Sequence, residues 1–405
     1  MLNHETFSPW PSFSEEEATI IKDVLLSNKV NYWTGQEARE FEKEFAGWTG
    51  SKYAVGLANG TLALDIALKV LDIGPGDDVI VTPRSFIASV SCVVNTGASP
   101  IFADVDRYSG NITAETIAQV LTPQTKAIVC VHLAGWPCDM DPIMKLAELY
   151  NLKVIEDCAQ AHGAIYKGRS VGSIGHIGAW SFCQDKIMTT GGEGGMVTTN
   201  DEILWSKMWS YKDHGKSYEA VYDRKHSEGF RWLHDSFGTN WRMLELQAAL
   251  GRYQLKKITS WVEQRNKNAT TIIEVLKSFK SIRAPEFKCS QSCITGCQKL
   301  NRCQHAFYKC YVYVNPQNLK VDWSRDKIID QMNLAGVPCF HGSCPEVYLE
   351  KAFDKTNFRP NDRLKFAKEL GETSLMFLVH PSLTQENINT SVVVIRSVLD
   401  EATIK

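Results

Sequence analysis

GAWSFCQDKIMTTGGEGG, residues 178–195, sets a single lysine, Lys186, between two apolar runs. Gly178–Phe182 reads as a short strand and Met196–Thr199 as another, with glycine at four of the five positions 191–195. A lysine among glycines ordinarily marks a solvated turn. Here the flanking strands imply a loop at the edge of a buried sheet, where glycine lets the backbone come close to a ligand. Lysine in such a place suits Schiff-base chemistry, because burial favours the neutral, nucleophilic amine.

Upstream, apolar runs alternate with helical patterns. Lys52–Ala58, Val79–Pro83, Pro100–Asp104, Ala127–Leu133 and Lys153–Asp157 read as strands. Helical patterns lie between them, among them Leu62–Leu71, Phe86–Thr96 and Pro142–Tyr150. This alternation predicts an α/β fold with a mostly parallel sheet covered by helices. Ligands in such sheets sit beyond the carboxyl ends of the strands. Two further candidates stand at such ends. Asn59-Gly60-Thr61 opens a helix, where free amides and the Thr61 hydroxyl can hold a phosphate, although the same residues make an ordinary helix cap. Asp157 closes its strand and is followed by Cys158, Gln160 and His162. A carboxylate, an amide and an imidazole this close suit a heterocycle, while Asp157 can equally be a structural cap.

Downstream the character changes. Met243 to about Lys277 reads as one long connecting helix, followed by a cysteine-bearing loop, a strand over Ala306–Val314 and a closing helix, Asn387–Glu401. At 405 residues the chain suits a large domain, 1–255, and a smaller α+β domain, 256–405. The hydrophobic share is 44% and the formal net charge is -2, so nothing draws the chain toward nucleic acid or an anionic membrane. No apolar run approaches the roughly 20 residues of a membrane span. The N-terminal MLNHETFSPWPSFSEEE has neither a basic start nor an apolar stretch, making the cytoplasm the expected compartment. A nicotinamide dehydrogenase would need Gly-x-Gly-x-x-Gly after the first strand, where this chain has Asn-Gly-Thr.

Four ordered stretches, ANGTLALDIAL, VIEDCAQAHGA, GAWSFCQDKIMTTGGEGG and FGTNWRMLELQAALG, resemble the DegT/DnrJ/EryC1/StrS family of sugar aminotransferases. The resemblance runs from about Tyr32 to at least Gly251 and is visible again in HAFYKCYVYV and LVHPSLT. It implies the aspartate-aminotransferase fold, with a sheet of the seven-stranded type, and pyridoxal phosphate as cofactor, cycling through pyridoxamine phosphate. Lys186 would form the Schiff base and carry the proton. Asp157 would pair with the pyridinium nitrogen and Gln160 with the ring hydroxyl. Gly60, Thr61 and Ser181 would hold the phosphate, and Phe86, in PRSFIAS, would stack on the ring. Asn240 would reach the phosphate in a neighbouring subunit, which implies a homodimer with shared active sites. The substrates implied are glutamate and a nucleotide-linked keto sugar, on the way to a glycan such as lipopolysaccharide O-antigen. The stretch Asn31-Tyr32-Trp33-Thr34-Gly35 resembles the branch acting at C4. Relatives with histidine in place of the lysine are dehydratases, so Lys186 points to transamination rather than to dehydration. Asp157, Ser181 and Lys186 together argue against a silent binding module.

Two features depart from the family pattern. Cys289, Cys293, Cys297 and Cys303 crowd together before His305, with three, three and five intervening residues. Those spacings match no common C-x2-C arrangement, so free thiols are expected ahead of a zinc or iron–sulfur site, and no metal is assigned. A substrate-contacting loop is also open there. His341, in VPCFHGSC, is either a substrate contact or a surface histidine.

Overall fold

The computed structural model describes residues 7–285 and 303–404. The first half holds β1 (Tyr53–Leu57), β2 (Asp78–Val81), β3 (Ser99–Phe102), β4 (Thr125–Val131), β5 (Lys153–Asp157), the small hairpin β6 (Ile165–Tyr166) and β7 (Arg169–Ser170), β8 (Ile177–Ser181) and β9 (Gly195–Thr199). Seven of them form one sheet in the order β1-β9-β8-β5-β4-β2-β3. β9 is antiparallel to both its neighbours and the other pairs are parallel, so the carboxyl ends of six strands share one edge. Alternate residues serve opposite faces. Val79, Val81, Val129 and Ile155 pack into one core with the helices Gly60–Val70 and Ala88–Asn95. Ile80, Ile128, Cys130 and Val154 pack into another on the far side.

That alternation separates two adjacent carboxylates on β5. Asp157 faces the helices Gly60–Val70 and Ala88–Asn95, while Glu156 points the other way and is fully buried. Glu156 Oε2 meets His132 Nε2 at 3.0 Å and accepts from Gly172 N at 2.9 Å. Its Oε1 accepts from Ile174 N and Gly175 N at 2.8 and 2.6 Å. Cys158 Sγ lies close enough to complete a metal-like triad with these two, but backbone donors already saturate the carboxylate. The group is a structural tie across the turn that follows the hairpin. Burial alone would raise the Glu156 pKa, yet His132 and the backbone donors outweigh it and hold it below the ordinary range. A depressed carboxylate stabilises the fold above its unfolded value of about 4.3 and loses that stabilisation as pH falls through the folded value. Glu156→Gln is therefore expected to cost about 3 kcal/mol at pH 7 and to flatten the acid limb of stability against pH, checked by urea unfolding at several pH values.

The second half builds a four-stranded antiparallel sheet in the order β10 (Ile282–Arg283), β11 (Cys310–Val314), β13 (Ser374–Phe377), β12 (Cys339–Phe340). Its core takes in side chains from the helices Ile258–Leu276, Arg325–Leu334 and Gln385–Ala402. Two expectations need correction here. The connecting helix is two helices, Glu245–Leu255 and Ile258–Leu276, separated at Lys256–Lys257. The first is held by Gln254, whose Oε1 accepts from Thr189 N and whose Nε2 donates to Glu17, and the second turns away to pack on Gln385–Ala402. The strand expected over Ala306–Val314 pairs only from Cys310. Phe307 has φ 46°, and the N–H groups of Ala306 and Tyr308 donate to Gly135 and Ala134, so these residues bind a loop instead of a sheet. No helix among the described residues is long and apolar enough to cross a membrane.

Candidate active site

The carboxyl edge of the larger sheet opens into a cleft of about 510 Å³. Gly60, Thr61, Phe86, Asp157, Gln160, Ser181 and Lys186 all line it. Each arrives by a different local device. Asn59 caps the helix Gly60–Val70 by accepting from Leu62 N at 3.0 Å. The remaining first-turn amides, which no helical partner can reach, are left at the cleft with the Thr61 hydroxyl. The cap and the anion-binding readings of Asn59-Gly60-Thr61 are thus compatible.

Gly60 is required by close approach. A Cβ there would stand 2.5 Å from Ser181 Cβ and 2.8 Å from Ser181 Oγ. Of the glycine run 191–195, Gly195 serves the same junction: a Cβ there would meet Asn59 O at 2.2 Å. Gly60→Ala is expected to cost about 1–3 kcal/mol of stability by overpacking and to weaken anion binding at the turn. Thermal unfolding with and without inorganic phosphate checks both effects.

Asp157 is buried and both its oxygens are engaged. Oδ2 accepts from Ser89 Oγ at 2.7 Å and Oδ1 from Ala159 N at 3.1 Å. Ser89 Oγ in turn lies 2.7 Å from Ser85 Oγ, extending the chain back to the loop after β2. Gln160 Oε1 accepts from Ala134 N at 2.8 Å, which orients its amide and leaves the NH2 group for a ligand. Lys186 lines the same cleft with its side chain only 16% exposed. Its Nζ lies 3.7 Å from Asp185 Oδ1 and 5.1 Å from the ring centre of Tyr308, whose hydroxyl donates to Asp185. Burial would raise the Asp185 pKa, but Lys186 and Tyr308 hold it below its ordinary value.

This cleft brings together a helix N-terminus with two hydroxyls, a fixed carboxylate and a largely buried amine. A family model for DegT/DnrJ/EryC1/StrS aminotransferases matches residues 11–396. This chain belongs to that family. The aminotransferase is 64% identical to a solved aminotransferase from Psychrobacter cryohalolentis, with a TM-score of 0.94 over 97% of this chain and 99% of the other. It is 34% identical to the GDP-perosamine synthase of Caulobacter vibrioides, over 93% of this chain and 95% of that one. It is also 34% identical to a UDP-N-acetyl-3-dehydro-α-D-glucosamine 3-aminotransferase of Acidithiobacillus ferrooxidans, over 95% and 94%.

The cofactor of the aminotransferase is pyridoxal phosphate, and the residues present fit it. The cradle at Gly60 that any Cβ would fill, with Thr61 and Ser181 beside it, matches a phosphate. The doubly anchored Asp157 carboxylate matches a protonated ring nitrogen.

Other residues of the aminotransferase fall elsewhere. Asn240 is exposed and outside the cleft, in a segment paired through Asp213–Asn240 and Leu57–Arg242 bridges. His162 is not a cleft residue. It is fully buried against Trp180 and Phe182, and burial pushes it down to about 3, which keeps it neutral. His341 is exposed, 3.1 Å from Asp326, and its neighbours Ser343 and Cys344 line the cleft in its place. Cys303 accepts from Lys167 N at 3.3 Å, while Cys289, Cys293 and Cys297 lie outside the described residues. Sequence reasoning missed Ser85, Ser89, Asp185, Glu193 and Tyr308, which also line the site. Ser85 and Ser89 were within reach of the rule that chemistry follows strand ends. Tyr308 was not, because a loop contact some 120 residues away brings it in.

Proposed function

We propose that the enzyme moves an amino group from glutamate to a keto sugar carried on a nucleoside diphosphate, at C4, supplying an amino sugar for a surface polysaccharide such as O-antigen. The observation that carries this reading is the convergence of Lys186, Asp157 and the Asn59–Thr61 turn on one cleft. The sugar-nucleotide names of the relatives support the substrate class. The resemblance of Asn31-Tyr32-Trp33-Thr34-Gly35 to the C4-acting branch supports the position.

When bound, pyridoxal phosphate supplies an electron sink that makes a carbon next to nitrogen acidic. The chain supplies the rest. Gly60, Thr61 and Ser181 hold the phosphate. Asp157, held by Ser89 and Ala159, keeps the ring nitrogen protonated, and Gln160 donates to the ring hydroxyl. Phe86 covers the ring face. Lys186 takes the proton from the donor α-carbon and delivers it at C4′, then works in the opposite sense on the sugar carbon, so one amine alternates as base and acid. Asn240 completes the phosphate site of a second copy. Its exposure, together with Phe230, Trp232 and Phe237 standing 76%, 79% and 99% exposed nearby, supports a homodimer that covers this segment.

The test is a panel of nucleotide-linked 3-keto and 4-keto sugars, each incubated with the holoenzyme and glutamate. Mass spectrometry follows the amino sugar and 2-oxoglutarate. Amino product from 4-keto sugars is expected, and product from 3-keto sugars alone overturns the position. Bleaching of the visible band by glutamate with no amino sugar from any substrate overturns the sugar reading. Light scattering is expected to give twice the 45.5 kDa chain mass, and a single-chain mass overturns the shared site.

A further inference from the structure

Lys186 is held from behind by a residue far away in sequence. The indole Nε1 of Trp10 donates to the Lys186 carbonyl at 2.8 Å. Lys186 lies on the loop between β8 and β9, where its own N–H closes a short turn onto Cys183 O. The Trp10 bond is the contact that ties the lysine's carbonyl to a different part of the molecule.

Trp10 itself is fixed on three sides. Trp261 meets it edge-on at 5.2 Å, His380 stacks at 6.0 Å, and the Arg265 guanidinium stands 4.9 Å from the ring centre. Arg265 is buried, and its Nη1 donates to the carbonyls of Phe307 and Tyr308. Tyr308 is the residue whose ring lies beneath Lys186 Nζ and whose hydroxyl holds Asp185. The carbonyl and the amine of Lys186 are therefore both held by groups that meet at Arg265. The adjoining residues of the N-terminal segment bind the smaller sheet's layer: Ser382 Oγ donates to Pro9 O at 2.6 Å, and Phe7 packs on its core.

We propose that Trp10 is a positioning residue for Lys186, the N-terminal segment acting as a strap from the smaller layer to the lysine's backbone. This rests on Lys186 being the lysine that binds the cofactor. An outside hydrogen bond to the carbonyl restricts where the side chain can start. The effect reaches the amine through the backbone and needs no contact between Trp10 and the ligand.

The test compares the wild-type holoenzyme with Trp10→Phe, which keeps an aromatic ring over Arg265 and lacks the N–H. A third protein carries benzothienylalanine at position 10, matching the shape of tryptophan without the donor. Three quantities are read: the apparent pKa of the cofactor–lysine Schiff base by absorbance, kcat against KM for glutamate, and the melting temperature. Both altered proteins are expected to shift the Schiff-base titration by about half a unit and to lose about three- to tenfold in kcat, with KM within twofold. If Trp10→Phe does not fold, the benzothienylalanine protein carries the comparison. A lower melting temperature with unchanged titration and kcat makes Trp10 structural only and overturns the proposal. If borohydride fixes no cofactor on Lys186 in the wild-type protein, the functional reading fails instead, and the two failures are distinguishable.

Discussion

Lys186→Ala is expected to leave a folded protein that still takes up pyridoxal phosphate but retains none covalently after borohydride, with amino transfer lowered on the order of 10⁴-fold. The physical grounds are local. Lys186 is an amine lining the same cleft as Asp157 and Gly60. On the proposed assignment, alanine removes both the group that would bond the cofactor and the group that would move the proton, so the two losses share one cause. The phosphate turn and Asp157 stay in place, which is why cofactor uptake persists. Lys186→Arg keeps the charge but not a nucleophilic amine, and is expected to behave like the alanine variant. Peptide mapping after borohydride and single-turnover assays with glutamate check both. Cofactor fixed on another lysine would remove the assignment.

Asp157→Asn is the second large effect: about 10²–10³-fold in kcat, with weaker cofactor retention. The shape of the side chain is kept: Ala159 N can still donate to the amide oxygen, and the NH2 group takes the other place and donates to Ser89 Oγ. On the proposed assignment, the charge that would face the ring nitrogen is lost, and with it the preference for a protonated ring. Asp157→Ala adds a gap beneath Ser89 and leaves its hydroxyl and Ala159 N without their acceptor, Ser85 Oγ remaining as the one partner of Ser89 Oγ, so it is expected to lose stability as well, by about 1–3 kcal/mol. The separating measurement is the pH dependence of single-turnover proton transfer. The asparagine variant is expected to slow at every pH with little change in melting temperature. Equal losses in both variants, all of them in stability, would make Asp157 a fold residue.

Much of this was legible in the chain. In the larger sheet, strand positions came out within a residue or two, because runs such as Lys153–Asp157 are buried on both faces and so read as continuous apolar stretches. Asp157 stood out in the sequence by its position at a strand end, and the structure added that alternation turns its neighbour Glu156 to the opposite face. The long stretch from Met243 to Lys277 misled because its helical period hardly falters at Lys256–Lys257. The break reflects which neighbour each half packs on. Phe307 misled for a related reason: its left-handed φ is imposed by hydrogen bonds to Ala134 and Gly135, and nothing in AFYKCYVYV announces them.

By itself, the sequence pointed to the class of sheet, the sheet edge that carries the cleft, the family, and seven of the residues that line the cleft, because period, strand ends and ordered motifs are local properties of a chain. Only the tertiary structure decided what holds those residues in place. Ser89 on Asp157, Ala134 on Gln160, Tyr308 beneath Lys186 and Trp10 on its carbonyl are contacts across 68, 26, 122 and 176 positions. Such contacts depend on how separate elements pack, and a hydrogen bond between distant residues leaves no periodic trace in either partner's neighbourhood.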